Sequence, residues 1–321
     1  MKRNSSVWLI IAIALLVVGA VVFLAAFACS GFSFNKLSST KYETHTHDLT
    51  EPFDSISVKS STADVVFEPC ADGEARVVCY EEEKRMHTVE VREGTLVIEE
   101  VDNRKWTERI GVISFESPKL TVCIPAGSYS SLSVSCSTGD VTVPADFAFG
   151  NAYLSADTGD INLFACVADN LEIKRSTGDI LIEGCTLGEA KLNTSTGDVA
   201  LRSAVVEGAL NIGTDTGTIE LTEVSCGSLE TKSSTGSVTL ARSVAFGALR
   251  IVASTGSVRF DGCDAAELYV ETSTGSITGT LRTEKVFIAE SSTGSVDVPD
   301  TTSGGRCELH TDTGSIRIGI G

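Results

Sequence analysis

From residue 131 onward apolar residues occupy alternate positions, and this alternation is interrupted at a nearly fixed interval by Thr-Gly. The glycine stands at 139, 159, 178, 197, 217, 236, 256, 275, 294 and 314, spacings of 19 or 20 residues. Two residues later comes Val141, Ile161, Ile180, Val199, Ile219, Val238, Val258, Ile277, Val296 or Ile316, and four residues later the side chain is apolar in every copy but Gly279. A spacing of two is the period of a β-strand, whose successive side chains face opposite ways. Upstream the alternation continues in the other phase, as in Leu171 and Ile173 before Gly178 or Leu249 and Ile251 before Gly256. The phase thus reverses at Thr-Gly, a corner where glycine can take a positive φ. Continued up to the corner, that phase turns the Thr of each motif (Thr138, Thr158, Thr177 and their equivalents) inward.

One strand–corner–strand unit cannot bury its own apolar face, so successive units must stack in parallel. The pattern predicts an all-β protein whose residues 131–321 form a parallel β-solenoid, or β-helix, of about ten rungs. At about 4.8 Å per rung that makes a rod about 50 Å long. The copy at Gly294 fits less well: Val286 and Ile288 fall one residue out of phase, which predicts a bulge. Residues 35–130 carry strand-like stretches at hairpin spacing and one degenerate motif, Ser61-Thr62-Ala63-Asp64, and read as a β-rich N-terminal cap.

Residues 1–34 are different. Val7 to Ala28 is an apolar run of 22 residues, long enough as a helix to cross a hydrocarbon core of about 30 Å. Lys2 and Arg3 precede it and no charge follows until Lys36, which places the N-terminus in the cytoplasm and the remainder outside. The expectation is one N-terminal transmembrane helix with an extracytoplasmic C-terminal domain. Ala26-Phe27-Ala28 and Cys29 leave open signal cleavage or lipidation.

Charge narrows the partners. With 43 acidic and 25 basic residues the net charge is −18, which argues against nucleic acid or anionic lipid as the main ligand. The ten cysteines include no Cys-x-x-Cys pair and the four histidines are scattered, so zinc-type spacing is absent. His45, His47 and Asp48 read as a polar spacer before they read as a metal site, and Glu81-Glu82-Glu83-Lys84-Arg85 as a solvated hairpin. Cys166 and Cys185 each follow a motif glycine by seven residues and should stack on adjacent rungs within disulfide reach; Cys70 and Cys79, flanking Asp72-Gly73, form a second candidate pair.

The residue after the glycine is Asp140, Asp160, Asp179 and Asp198 in the first four copies and Thr or Ser afterwards. Stacked carboxylates about 5 Å apart repel by about 0.8 kcal/mol per neighbour in bulk water, and calcium would relieve this; hydrogen bonding within the turn would also do so. The chain ends inside a strand, so Ile316, Ile318 and Ile320 should form an open last rung available for self-association or a partner. Parallel β-helices can host carbohydrate-active enzymes, the alternative function, but the regular spacing leaves no loop to wall a catalytic pocket. No residue qualifies as catalytic and no cofactor is implied beyond the possible calcium.

The succession of Ser-Thr-Gly-Asp-(Ile/Val)-x-(Leu/Ile) units after an apolar segment, with Ile56-Ser57-Val58 as an opening strand, resembles the bacterial DUF4097 "putative adhesin" family, the Toastrack domain. The resemblance covers roughly residues 50–321. It implies a β-rich, non-enzymatic surface or envelope domain, an adhesin, scaffold or envelope-stress sensor that binds a protein, envelope or glycan ligand, and it supplies no catalytic residues.

Overall fold

A computed structural model describes residues 3–29, 41–106 and 117–321. Helix α1 (Arg3–Cys29) carries the apolar run, with side chains described at residues 11–25 and 28. Among the described residues no helix is long and apolar enough to cross a membrane, so the expected span rests on the sequence alone. Among the described residues after it, every strand belongs to one continuous hydrogen-bonded sheet.

The first strands are β1 (Tyr42–Asp48), β2 (Ser55–Ser60), β3 (Asp64–Pro69), β4 (Arg76–Glu82), β5 (Arg85–Arg92), β6 (Thr95–Asp102), β7 (Lys119–Ile124), β8 (Gly127–Thr138) and β9 (Val141–Val143). β8 and β9 form the Gly139 rung, and each later rung repeats the pair: a long strand ending at the motif Thr, then a short strand starting two residues after the Gly. All these rungs pair in parallel. In the inward columns Val141, Ile161, Ile180 and Val199 are 1% exposed or less. Each such aliphatic side chain contributes about 1.5–3 kcal/mol by leaving water, which is why the two-residue period dominates the sequence.

Glycine is required at the corner for two reasons. At Gly217 φ is +149°, and a Cβ there would lie 1.9 Å from the carbonyl oxygen of Gly197 in the rung below. The corners pack backbone against backbone, leaving no room for a side chain.

The array begins before the first Thr-Gly. The degenerate motif at Ala63 is a full rung: β2 pairs with β8 and β3 with β9, both in parallel. Beneath it lie β6 and β7. There the two faces are finished by antiparallel strands, β5 on β6 in one, β4 on β7 and then β1 on β4 in the other. The cap is thus the solenoid's own end, closed by hairpins.

At the other end the rung order departs from the sequence order. The Gly275 rung, with strands Val258–Thr274 and Ile277–Leu281, pairs not with the Gly294 rung but with the Gly314 rung, strands Gly305–Thr313 and Ile316–Ile320. The Gly314 rung pairs on its far side with the Gly294 rung, strands Lys285–Thr293 and Val296–Asp297. The chain leaves a gap one rung wide, builds the next rung and returns through residues 298–304 to fill the gap. The expected open last rung is therefore corrected: Ile316 is fully buried, Ile318 is 4% exposed and Ile320 is 37% exposed. The free edge belongs to the Gly294 rung. Nor does that rung bulge. Its strand runs in unbroken register, with Phe287 and Ala289 opposite Cys307 and Leu309, so Val286 and Ile288 point outward and are exposed.

The cysteine pairs also differ from expectation. Cys166 lies level with Thr186, whose N–H donates to its sulfur at 3.4 Å, while Ala165 and Ala204 occupy the buried column of Cys185. The cause is local. The five rungs from Gly178 to Gly256 insert a left-handed residue six positions after the glycine (Gly184, Ser203, Glu223, Arg242, Gly262), which the Gly159 rung lacks, so its downstream residues sit one place out of step. Cys70 is nowhere matched with Cys79; β3 and β7 bring it against Cys123.

Candidate functional site

Three features of the rod could carry function: its glycine corner, its far end and a polar cluster in the cap. The corner is built from within. Three residues before each glycine the side chain is turned in, and where it bears a hydroxyl it donates to a corner glycine carbonyl, that of a neighbouring rung for Thr272 Oγ1 to Gly256 at 3.0 Å and Thr311 Oγ1 to Gly275 at 2.8 Å, and that of its own rung for Ser233 Oγ to Gly236 at 3.4 Å. The next two residues both swing out. The motif Thr is exposed in all ten copies, from Thr138 to Thr313, as is the Ser or Asp before it. The inward phase assigned to these Thr is thus corrected: the chain begins to turn two residues before the glycine. The result is a straight double column of hydroxyl-rich side chains along the whole rod.

Beside it runs the acidic column. Asp140 Oδ1 accepts the Asp160 N–H at 2.6 Å, Asp160 that of Asp179 at 2.9 Å, Asp179 that of Asp198 at 2.8 Å and Asp198 that of Thr218 at 2.6 Å. Asp64, which the degenerate motif conceals, begins the series by accepting the Asp140 N–H at 3.0 Å. One oxygen of each carboxylate therefore binds backbone. Arg175 lies beneath, 6% exposed, its guanidinium donating to the Asp179 and Thr177 carbonyls at 2.9 and 3.0 Å. Burial pushes the pKa of Arg175 down, against the pull of Asp160, Asp140 and Asp179. Of the two sources of charge relief open to the column, calcium and hydrogen bonding at the turn, the second is present in these backbone N–H bonds.

In the cap, Cys79 and Glu81 continue the inward phase of Val77 along β4. The Glu81 carboxylate, 2% exposed, accepts the His87 N–H at 2.7 Å, lies 2.7 Å from His87 Nδ1, and lies 3.0 Å from Nδ1 of His45 on β1. His87 Nε2 stands 3.1 Å from Ser60 Oγ at the end of β2. On β6, Glu100 Oε2 accepts the Ser61 N–H at 2.8 Å and lies 3.3 Å from Ser60 Oγ, while Arg85 pairs with its other oxygen. Burial opposes ionisation of Glu81, but the His87 ring and backbone N–H and the His45 ring outweigh it and hold the carboxyl below the usual glutamate range. Glu100 is likewise lowered, burial being overcome by Ser61 and Arg85. The run from Glu81 to Arg85 is thus solvated only at its tip, Glu83-Lys84. His47 shares a face of β1 with His45, and its Nε2 is buried without a partner.

Ser60, His87 and Glu81 have the connectivity of a nucleophile–base–acid chain, yet the geometry gives substrate no access. Ser60 is 7% exposed, its oxygen accepts the Ala63 N–H at 3.3 Å, and none of the described concavities opens on it.

Several solved structures share features of this fold. Two are putative adhesins, from Bacteroides fragilis (17% identity, 88% of this chain and 98% of that one, TM-score 0.42) and Parabacteroides distasonis (12%, 75% and 98%, TM-score 0.47). A third is a putative lipid binding protein from Parabacteroides distasonis (17%, 75% and 95%, TM-score 0.41). No protein of curated function is similar. The profile of the Toastrack DUF4097 family matches residues 53–223 and 208–321, nearly the whole β region. The chain, with its parallel rungs stacked on a Thr-Gly corner, belongs to the Toastrack DUF4097 family.

Proposed function

We propose that this protein is a non-enzymatic binding or scaffold protein of the cell envelope, held at the membrane by residues 7–28 and projecting the solenoid outward. The observation that carries the reading is the exposed Ser/Asp-Thr column, repeated on every motif rung of the rod. Identical rungs about 4.8 Å apart present the same donors and acceptors at a constant interval, which suits a polymer with its own repeat better than a single small molecule. The net charge of −18 disfavours anionic polymers, and the column offers hydroxyls for hydrogen bonding, so an uncharged envelope glycan is the ligand class proposed. An adhesin and an envelope-stress sensor would share this binding step.

The test is co-sedimentation of the detergent-solubilised full chain with purified bacterial envelope polysaccharide. Saturable binding that survives moderate salt supports the reading. Absence of binding, or binding abolished by moderate salt, overturns it.

A further inference from the structure

Independently of the surface reading, the geometry points to a transition-metal site of the zinc type in the cap, with Cys79 Sγ, a Glu81 carboxylate oxygen, His87 Nδ1 and a ring nitrogen of His45 as its four ligands. Donor atoms of Cys79, Glu81 and His87 all lie within 4.8 Å of one another, and all three residues are buried. His45 adds a fourth donor 3.0 Å from Glu81. Tetrahedral zinc with these ligands needs donor separations of about 3.3–3.6 Å, so the three buried donors close on an ion by side-chain adjustments of about an ångström, and the His45 ring, now held on Glu81 outside that trio, swings in to complete the set.

Three further observations support a metal over a bare polar network. First, the donor set is soft and mixed: a thiol, imidazoles and one carboxylate suit zinc, whereas calcium and magnesium take oxygen alone. Second, the outer shell is already in place. A metal-bound His87 Nδ1 requires the proton on Nε2, and that atom faces Ser60 Oγ at 3.1 Å, whose own hydroxyl can donate to Glu100 Oε2 at 3.3 Å. This carboxylate–hydroxyl–imidazole relay is the arrangement that orients metal-ligating histidines. Third, there is a route in. The His45 side chain is 35% exposed on edge strand β1 while Cys79 is fully buried, so the site is shut on the core side and open only through one ligand. Burying a carboxylate, an imidazole and a thiol where Val77 fills the preceding inward position is costly, and ion binding offsets that cost. A bound ion would tie β1, the first strand after the N-terminal segment, to β4 and β5.

The experiment uses the full chain in mild detergent, freed of loosely held metal by brief dialysis against dilute chelator. About one zinc per chain should remain or rebind, and cobalt should give a thiolate charge-transfer absorption. Cys79→Ser should abolish that absorption, whereas Cys263→Ser, equally buried but remote, should keep it. His45→Ala, at the exposed margin where folding is not at stake, should weaken zinc binding at least about tenfold. No zinc uptake by the wild type overturns the proposal, as does zinc retention unchanged in His45→Ala and in a folded Cys79→Ser or His87→Gln variant.

Discussion

Replacing Gly217 by alanine probes the stacking principle at its tightest point. Its φ of +149° lies where L-residues are strained, and the added Cβ would meet the Gly197 carbonyl at 1.9 Å oxygen and 2.6 Å carbon distance. Neither atom can yield, because both belong to the backbone of a paired rung. Strained backbone costs about 1–3 kcal/mol and overpacking a similar amount, so Gly217→Ala should destabilise by about 2–6 kcal/mol. Gly184→Ala is the internal comparison. Gly184 also has positive φ, +69°, but nothing lies within 4 Å of its Cβ position, and the cost should be about 1 kcal/mol. Urea denaturation gives the two differences. Because each rung touches only its neighbours, hydrogen exchange should show the loss concentrated in the rungs of Gly197, Gly217 and Gly236, with the Gly294–Gly314 end still protected. Equal midpoints for the two variants would refute the backbone-contact argument.

Deleting residues 305–321 should leave Lys285–Thr293 and Val296–Asp297 without hydrogen-bond partners, since both pair only with the Gly314 rung; limited proteolysis should then cut within residues 282–304, and continued protection would mean the rungs stack in sequence order. Mild oxidation with glutathione disulfide should join Cys70 to Cys123 and lower the titratable thiols by two per chain, an effect that Cys123→Ser removes and Cys79→Ser does not. Glu81 and Glu100 have folded-state pKa values below the ordinary glutamate value, so their stabilisation is complete above the unfolded value and fades as the pH falls through the lowered folded one. The melting temperature should therefore drop below about pH 4.5, and Glu100→Gln should flatten that drop.

The columns of the rod were legible because each is set by one demand: a β-branched residue two places after the corner, a glycine where backbones touch. Order along the rod was not, since periodicity says which residues form a rung and not which rung lies next to it. The clue was Val286 and Ile288, whose outward phase marks a rung exposed at an end. The Thr column was misplaced because one-for-one alternation was carried through a turn that takes two residues to complete. With an alanine in place of the motif glycine, Asp64 was read as part of a degenerate motif and not as the head of the acidic column, and Ser60 was not singled out. The cap cluster was illegible as a set, since its members lie on strands of two opposing faces and meet only in the fold. One member was within reach of sequence alone: Glu81 stands in the inward phase of Val77 and Cys79, where an aliphatic residue is expected.

Whether the Thr corner is the binding face is decided by one comparison in the co-sedimentation assay. Thr177, Thr196 and Thr216 are changed together to alanine, against a control changing the half-exposed Glu172 and the exposed Lys191 and Asn211 of the long strands to alanine. The account predicts that the corner variant, folded and of unchanged melting temperature, loses at least about tenfold in affinity, about 1.4 kcal/mol, while the control binds as the unaltered chain does. Equal binding by both would contradict it.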